Sequence, residues 1–158
     1  MAFRLVTRVG TLSRDPVVLA KLAGRFLREV VLSNRMTMRE ARRQGRRIPP
    51  LYRSGVAYER ERGPSEEFAD VLTVLERGWG DCDDLVAWRV AELNEAGFEA
   101  DVRIYCRDGR TGRTDYSMHA QVRHPRFCTC ASWTRGVGIC RGQHAKGKIE
   151  DPSRRLGM

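Results

Sequence analysis

The chain has 158 residues, 41% of them hydrophobic and 31% charged, with a formal net charge of +9. That length suits one domain able to bury a core, and no apolar run approaches the roughly 18 residues of a membrane span. The opening Met1-Ala2-Phe3-Arg4-Leu5-Val6-Thr7-Arg8 is too short and too charged for a secretory signal, so the expected place of action is the cytoplasm or an assembly built there.

Charge is spread unevenly. Residues 1–53 hold 13 Lys/Arg against 3 Asp/Glu, and residues 54–158 hold 16 against 17. A basic segment of this kind can hold phosphates or an acidic protein surface. Only Lys21, Lys146 and Lys148 are lysines, an arginine bias that genomic base composition alone can produce. No aromatic residues interleave with the basic ones as single-strand binders require, so nucleic acid is disfavoured.

In chain order, Asp15-Pro16 opens a helix, with Asp15 as cap and Pro16 at the first helical position. Leu19, Leu22, Ala23, Phe26 and Val30 recur at helical spacing, which predicts an end near Asn34. Residues 35–50 then read as a basic helix end and loop, and Pro49-Pro50 marks the expected boundary between a basic helical segment, 1–51, and the remaining 52–158. Ser65 is placed to cap a second helix, with Glu66 and Glu67 in its first turn and Phe68, Val71, Leu72 and Leu75 as its buried stripe. Gly78 stops it.

A turn at Gly78-Trp79-Gly80-Asp81 leads into a third helix from about Cys82 to Glu95. Val86, Val90 and Leu93 lie on one face, Leu85 and Trp88 broaden it, and Gly97 ends it. Beyond Gly97 the period becomes two. Ala100, Val102, Ile104 and Cys106 alternate with polar residues, a second strand is predicted from about Tyr116 to Arg123, and a short third one around Ile149. Helices first and strands later imply an α+β fold with an antiparallel sheet.

The segment Gly80-Asp81-Cys82-Asp83-Asp84 carries the first chemical signal. A helix N-terminus offers unpaired N–H groups and partial positive charge, which stabilise a thiolate and can donate to an oxyanion. Asp81, Asp83 and Asp84 oppose thiolate formation, so a cationic imidazole near the sulfur is required. The same acids also serve as helix caps and dipole partners. His119, in Ser117-Met118-His119-Ala120-Gln121-Val122, would be held rigidly by its strand, as a general base must be. Its parity is that of Ser117 and Gln121, so catalysis requires the Cys82 helix to cover the more polar face of that strand. Asp151, in Ile149-Glu150-Asp151-Pro152-Ser153, is restricted by Pro152 to extended geometry, where it could fix the tautomer of an imidazole.

Taken in order, the Gly-Asp-Cys-Asp-Asp helix start, the His-Ala-Gln-Val strand and the terminal Glu-Asp-Pro-Ser resemble the transglutaminase-like cysteine protease superfamily. The resemblance runs from Tyr52-Arg53-Ser54-Gly55-Val56 to the C-terminus and looks like the compact forms encoded by tailed phages and their hosts. It implies a papain/transglutaminase-like fold, with the nucleophile helix packed on a small antiparallel sheet. It also implies a triad of Cys82, His119 and Asp151, and no required cofactor. The oxyanion would be met by helix-start N–H groups with help from Trp79, and Asp83 belongs to the same substrate-facing region. Three features depart from the pattern. The His119-to-Asp151 interval is 32 residues, Gln121 replaces an aromatic, and residues 1–51 have no counterpart.

That long interval contains an insertion at about 126–146. With five cysteines and no sign of secretion, a disulfide framework is not expected. Cys128, Cys130, Cys140 and His144 form a Cys-x-Cys…Cys-x3-His set that would satisfy tetrahedral zinc, although the first pair is tighter than in standard fingers. Reduced thiols in a loop over the active site are the preferred reading, with a Cys128–Cys140 or Cys130–Cys140 disulfide as a further alternative.

The sequence therefore supports acyl transfer through a thioester on a protein or peptide substrate. Hydrolysis is favoured over transfer because water is always present. The competing reading is a structural or adaptor protein that keeps the fold inside a phage virion or tail and docks other subunits through residues 1–50. A nucleic-acid-binding basic protein comes third.

Overall fold

Helix α3, Cys82–Glu95, is buried on most of its sides, and its neighbours follow from that. Leu85, Val86, Ala87, Trp88, Val90 and Ala91 are all buried, and they point into different clusters. Leu85, Trp88 and Ala91 meet Leu51, Val56, Val71 and Val74. Ala87 meets Leu27, Val30 and Phe68. Val86 and Val90 meet Ala120, with Val102 and Ala100 beside them. Each large apolar side chain so enclosed contributes about 1.5–3 kcal/mol relative to exposure.

The computed structural model describes residues 6–9, 16–61, 66–108, 114–122 and 130–132. Along the chain these form β1 (Val6–Val9), α1 (Pro16–Arg43), a 3-10 turn at Leu51–Arg53, β2 (Ala57–Tyr58), β3 (Glu66–Ala69), α2 (Val71–Arg77), β4 (Trp79–Gly80), α3, β5 (Ala100–Asp108), β6 (Thr114–Val122) and β7 (Cys130–Ser132). Strand β1 pairs antiparallel with β3, β2 pairs parallel with β4, and β5, β6 and β7 make a three-stranded antiparallel sheet. Mixed helix and strand with an antiparallel sheet is an α+β arrangement. None of the described helices is long and apolar enough to cross a membrane.

Helix α1 corrects one expectation. It runs on past Asn34 to Arg43, 28 residues in all. Asn34 does not end it because its side chain is fully buried and accepts the Val71 N–H at 2.7 Å. The added turns are held by buried Met38 and by Glu95, whose carboxylate receives Arg35 at 3.0 Å and Arg39 at 2.9 Å. Helix α1 shares one interior with β3 and α3: its Leu27 and Val30 pack with Phe68 and Ala87, and Phe26 stacks on Phe68 at 5.7 Å. At the Pro49-Pro50 corner the Leu51 N–H donates to Glu92 at 2.6 Å.

The second helix is also displaced from its expected start. Glu66 and Glu67 belong to β3 rather than to a first helical turn, because Val6–Val9 supplies a distant pairing partner. The cap is Asp70, which accepts the Thr73 N–H at 2.9 Å, and Ser65 lies outside the described residues. Gly78 closes α2 in the left-handed conformation, φ 76°, as a C-terminal glycine should. The anticipated turn after it is extended enough to pair: the Ala57 N–H donates to Gly78 and the Glu59 N–H to Gly80.

Helix α3 and strands β5 and β6 fall close to where the periodicity put them. The strand β7, inside the predicted insertion, pairs Cys130 with Gln121 and Ser132 with His119. The strand expected around Ile149 lies outside the described residues.

Candidate functional site around the start of helix α3

Cys82 is the first residue of α3, half-buried and in no disulfide. Three constraints fix this helix start. Asp81 caps it, accepting the Asp83 N–H at 3.3 Å. Gly80 lets the preceding backbone press against the helix, since a Cβ there would lie 3.0 Å from Leu85, 3.2 Å from Val74 and 3.3 Å from the Asp84 Cβ. The third is Asp84, 1% exposed, which accepts the Ala69 N–H at 2.7 Å and pairs with the Arg77 guanidinium. Burial pushes the Asp84 carboxyl up to about 6 against the lowering pull of the Ala69 hydrogen bond and the Arg77 charge.

Arg77 organises the rest of this corner. Its Nε donates to the Trp79 carbonyl at 2.7 Å, one guanidinium nitrogen reaches Glu67 at 3.2 Å, and the group lies 3.9 Å above the centre of the Trp79 ring. Trp79 is half-buried. Asp83 is 1% exposed: one oxygen accepts the Asp84 N–H at 2.9 Å and the other, Oδ2, has no hydrogen-bond partner. Oxygens of Asp81 and Asp83 and the Cys82 sulfur lie within 4.8 Å of one another. Asp81 and Asp83 each accept a backbone N–H at this helix start, and these two carboxylates with the Cys82 sulfur are the groups among the described residues that could hold a cation.

Comparison with protein-family models, curated proteins and solved structures finds no match to this chain.

Of the expected triad, Cys82 stands at the tip of α3 and His119 in the middle of β6, a strand on which α3 packs. Asp151 lies outside the described residues. So do Cys128, Cys140 and His144 of the zinc set, whereas Cys130 opens β7 opposite Gln121. The strand alternation bears on His119. Ala120 is 1% exposed and buried against Val86 and Val90, so α3 covers the face to which Ala120 and its partner Val102 belong. His119 holds the alternate register position, opposite the exposed Arg103. The condition that α3 cover the Ser117, His119 and Gln121 parity is therefore not met at Ala120.

Sequence reasoning missed Arg77 and the tertiary role of Asp84. The third acid of Asp-Cys-Asp-Asp reads as a dipole partner, and only the folded chain brings Ala69 and Arg77 to it. The signal that remained in the sequence was an Arg in the last turn before the Gly78 stop.

Proposed function

We propose that the chain is a thiol-dependent acyl hydrolase or acyltransferase of the transglutaminase-like kind, with a papain/transglutaminase-like fold. In this reading Cys82 attacks a carboxamide or peptide carbonyl, and His119 would take the thiol proton and return it to the leaving amine, which requires the Cys82 sulfur to reach the face of β6 opposite to Ala120. Asp151 orients His119, and a thioester on Cys82 is released to water or to an amine. The observation that carries the reading is the setting of Cys82. It is a half-exposed thiol at the first position of a central helix whose other first-turn side chains, Asp83, Asp84 and Leu85, are buried. The partial positive charge of the helix start would favour thiolate, and an oxyanion would compete with Asp81 and Asp83 for the Asp83 and Asp84 N–H groups. Trp79, three residues before the thiol in the chain, would help to meet the oxyanion.

Intact-mass labelling with iodoacetamide at neutral pH tests this. Cys82 should label at least about tenfold faster than an ordinary thiol, and His119→Ala should return the rate to the ordinary value. If Cys82 labels no faster than the other cysteines and Cys82→Ala alters no acyl transfer, the enzymatic reading fails.

The second reading, a structural or adaptor protein of a larger assembly such as a phage virion or tail, is favoured by one specific observation. Ala120, not His119, holds the strand parity that α3 covers. Under this reading Cys82 labels as an ordinary thiol and His119→Ala leaves labelling unchanged.

A further inference from the structure

Helix α1 has two faces of different purpose. Leu27, Val30, Asn34 and Met38, spaced by three and four, are its buried seam. On the opposite side Lys21, Arg25, Arg28, Leu32, Met36 and Arg39, spaced by four and three, are all exposed, and Arg43 continues the row. One ridge results, about 33 Å long at 1.5 Å per residue. Leu32 and Met36 are 50% and 61% exposed at its middle, one helical turn apart. The acids exposed on this helix among the described residues are Glu29 and Glu40, and Glu40 is engaged by Arg43 at 3.5 Å. No ion pair is formed by Lys21, Arg25 or Arg28 among the described residues. Near the far end Arg35, Arg39 and Arg42 share the single carboxylate of Glu95, so positive charge remains there in excess.

We infer that this outer face of α1 docks an acidic amphipathic helix of a partner protein. Its carboxylates meet the arginines and its apolar stripe covers Leu32 and Met36. The charge calls for an anionic partner, and the apolar centre selects among anions. Phosphate backbones reward cationic contacts alone, and the ridge carries no aromatic ring on which a base could stack. Arg and Met are the residue types enriched in protein interfaces, and Lys is depleted there. The row has a single lysine, at its end. A helix laid in antiparallel or parallel fashion along α1 presents its own residues at the same spacing. This inference does not depend on whether Cys82 is a nucleophile.

The test uses the full chain and a fluorescent peptide of about 20 residues, roughly the length of the ridge, with leucines at helical spacing and glutamates elsewhere. A permuted peptide of the same composition, a DNA duplex and anionic vesicles of phosphatidylserine and phosphatidylcholine serve as competitors. The patterned peptide should bind at least about tenfold more tightly than the permuted one at physiological salt. Leu32→Asp and Arg28→Glu should each weaken it by about tenfold without moving the thermal midpoint. Equal binding of the two peptides overturns the inference, as does tighter binding of duplex or vesicles. These comparisons stand on the unaltered chain even where a variant folds poorly.

Discussion

The Asp84 carboxylate accepts the backbone N–H of Ala69 at 2.7 Å, so the first turn of α3 is pinned to the end of β3. The same carboxylate pairs with Arg77 of α2, and three elements thereby meet at one buried group. Removing it by Asp84→Ala leaves the Ala69 N–H without its acceptor and Arg77, 16% exposed, with Glu67 as its remaining charged partner. Leaving a buried donor unsatisfied in this way costs about 1–3 kcal/mol. A urea titration of wild type and variant at neutral pH should show a loss of that size.

The raised carboxyl of Asp84 also sets a pH dependence. Its folded value of about 6 exceeds the ordinary 3.8 because burial disfavours the charged form. Between those values the folded chain binds more protons than the unfolded one, so this group's contribution to stability falls as pH rises from about 4 to 6 and then levels. The stability difference between wild type and Asp84→Asn should therefore decline over that window, by up to about 3 kcal/mol. A flat difference would show that Asp84 titrates as an ordinary carboxylate.

At Gly80 a side chain fits only if its neighbours give way by a few tenths of an ångström. A Cβ would sit 3.0 Å from Leu85 and 3.2 Å from Val74, both buried or packed in the core. Gly80→Ala must push β4 away from α3 or force these side chains off their rotamers, at about 1–3 kcal/mol. Calorimetry should record a lowered midpoint, and because Gly80 precedes the Asp81 cap, the start of α3 should lose amide-exchange protection before its end does.

Asp83 places a buried carboxyl group one residue from the thiol, and one of its oxygens has no hydrogen-bond partner. A nearby carboxylate disfavours thiolate. Asp83→Asn keeps the shape and removes the charge, so alkylation of Cys82 at neutral pH should accelerate roughly three- to tenfold. An unchanged rate would mean that the carboxylate's field does not reach the sulfur.

Glu95 is held below the usual carboxylate range: burial pushes it up, but hydrogen bonds from Arg39 and Arg35 and their charges outweigh that. Its contribution is present above the ordinary value of 4.5 and is lost as pH falls through the lower folded value. The arginines are one-third to two-thirds exposed, so screening keeps the effect small. Glu95→Gln should cost about 1 kcal/mol at low salt and less at 1 M salt.

Legibility of the fold tracks the range of the interaction involved. Helix α3 was readable end to end because its cap, its apolar residues and Gly97 are all local signals, and Gly78 was equally clear. Helix α1 was readable at Pro16 but not at its far end. Asn34 resembles a terminator in sequence and becomes a buried acceptor only because Val71 lies against it. Strand β3 was read as a helical turn since Glu66 and Glu67 favour one, and the contrary instruction comes from Val6–Val9, some sixty residues earlier. The site divides in the same way. Cys82 announces itself by position, whereas the Arg77–Asp84–Ala69 junction has no linear signature, and the cover over β6 depends on which strand parity α3 selects.

The clasp between α1 and Glu95 has a mechanical consequence. Arg35 and Arg39 grip the last residue of α3, and Cys82 is the first residue of that same rod, about 20 Å away. Leu27 and Val30 of α1 also pack against Ala87, so the two helices are fastened at the middle of the rod as well as at its far end, and the thiol stands at the end that α1 leaves to Asp84 and Ala69 to hold.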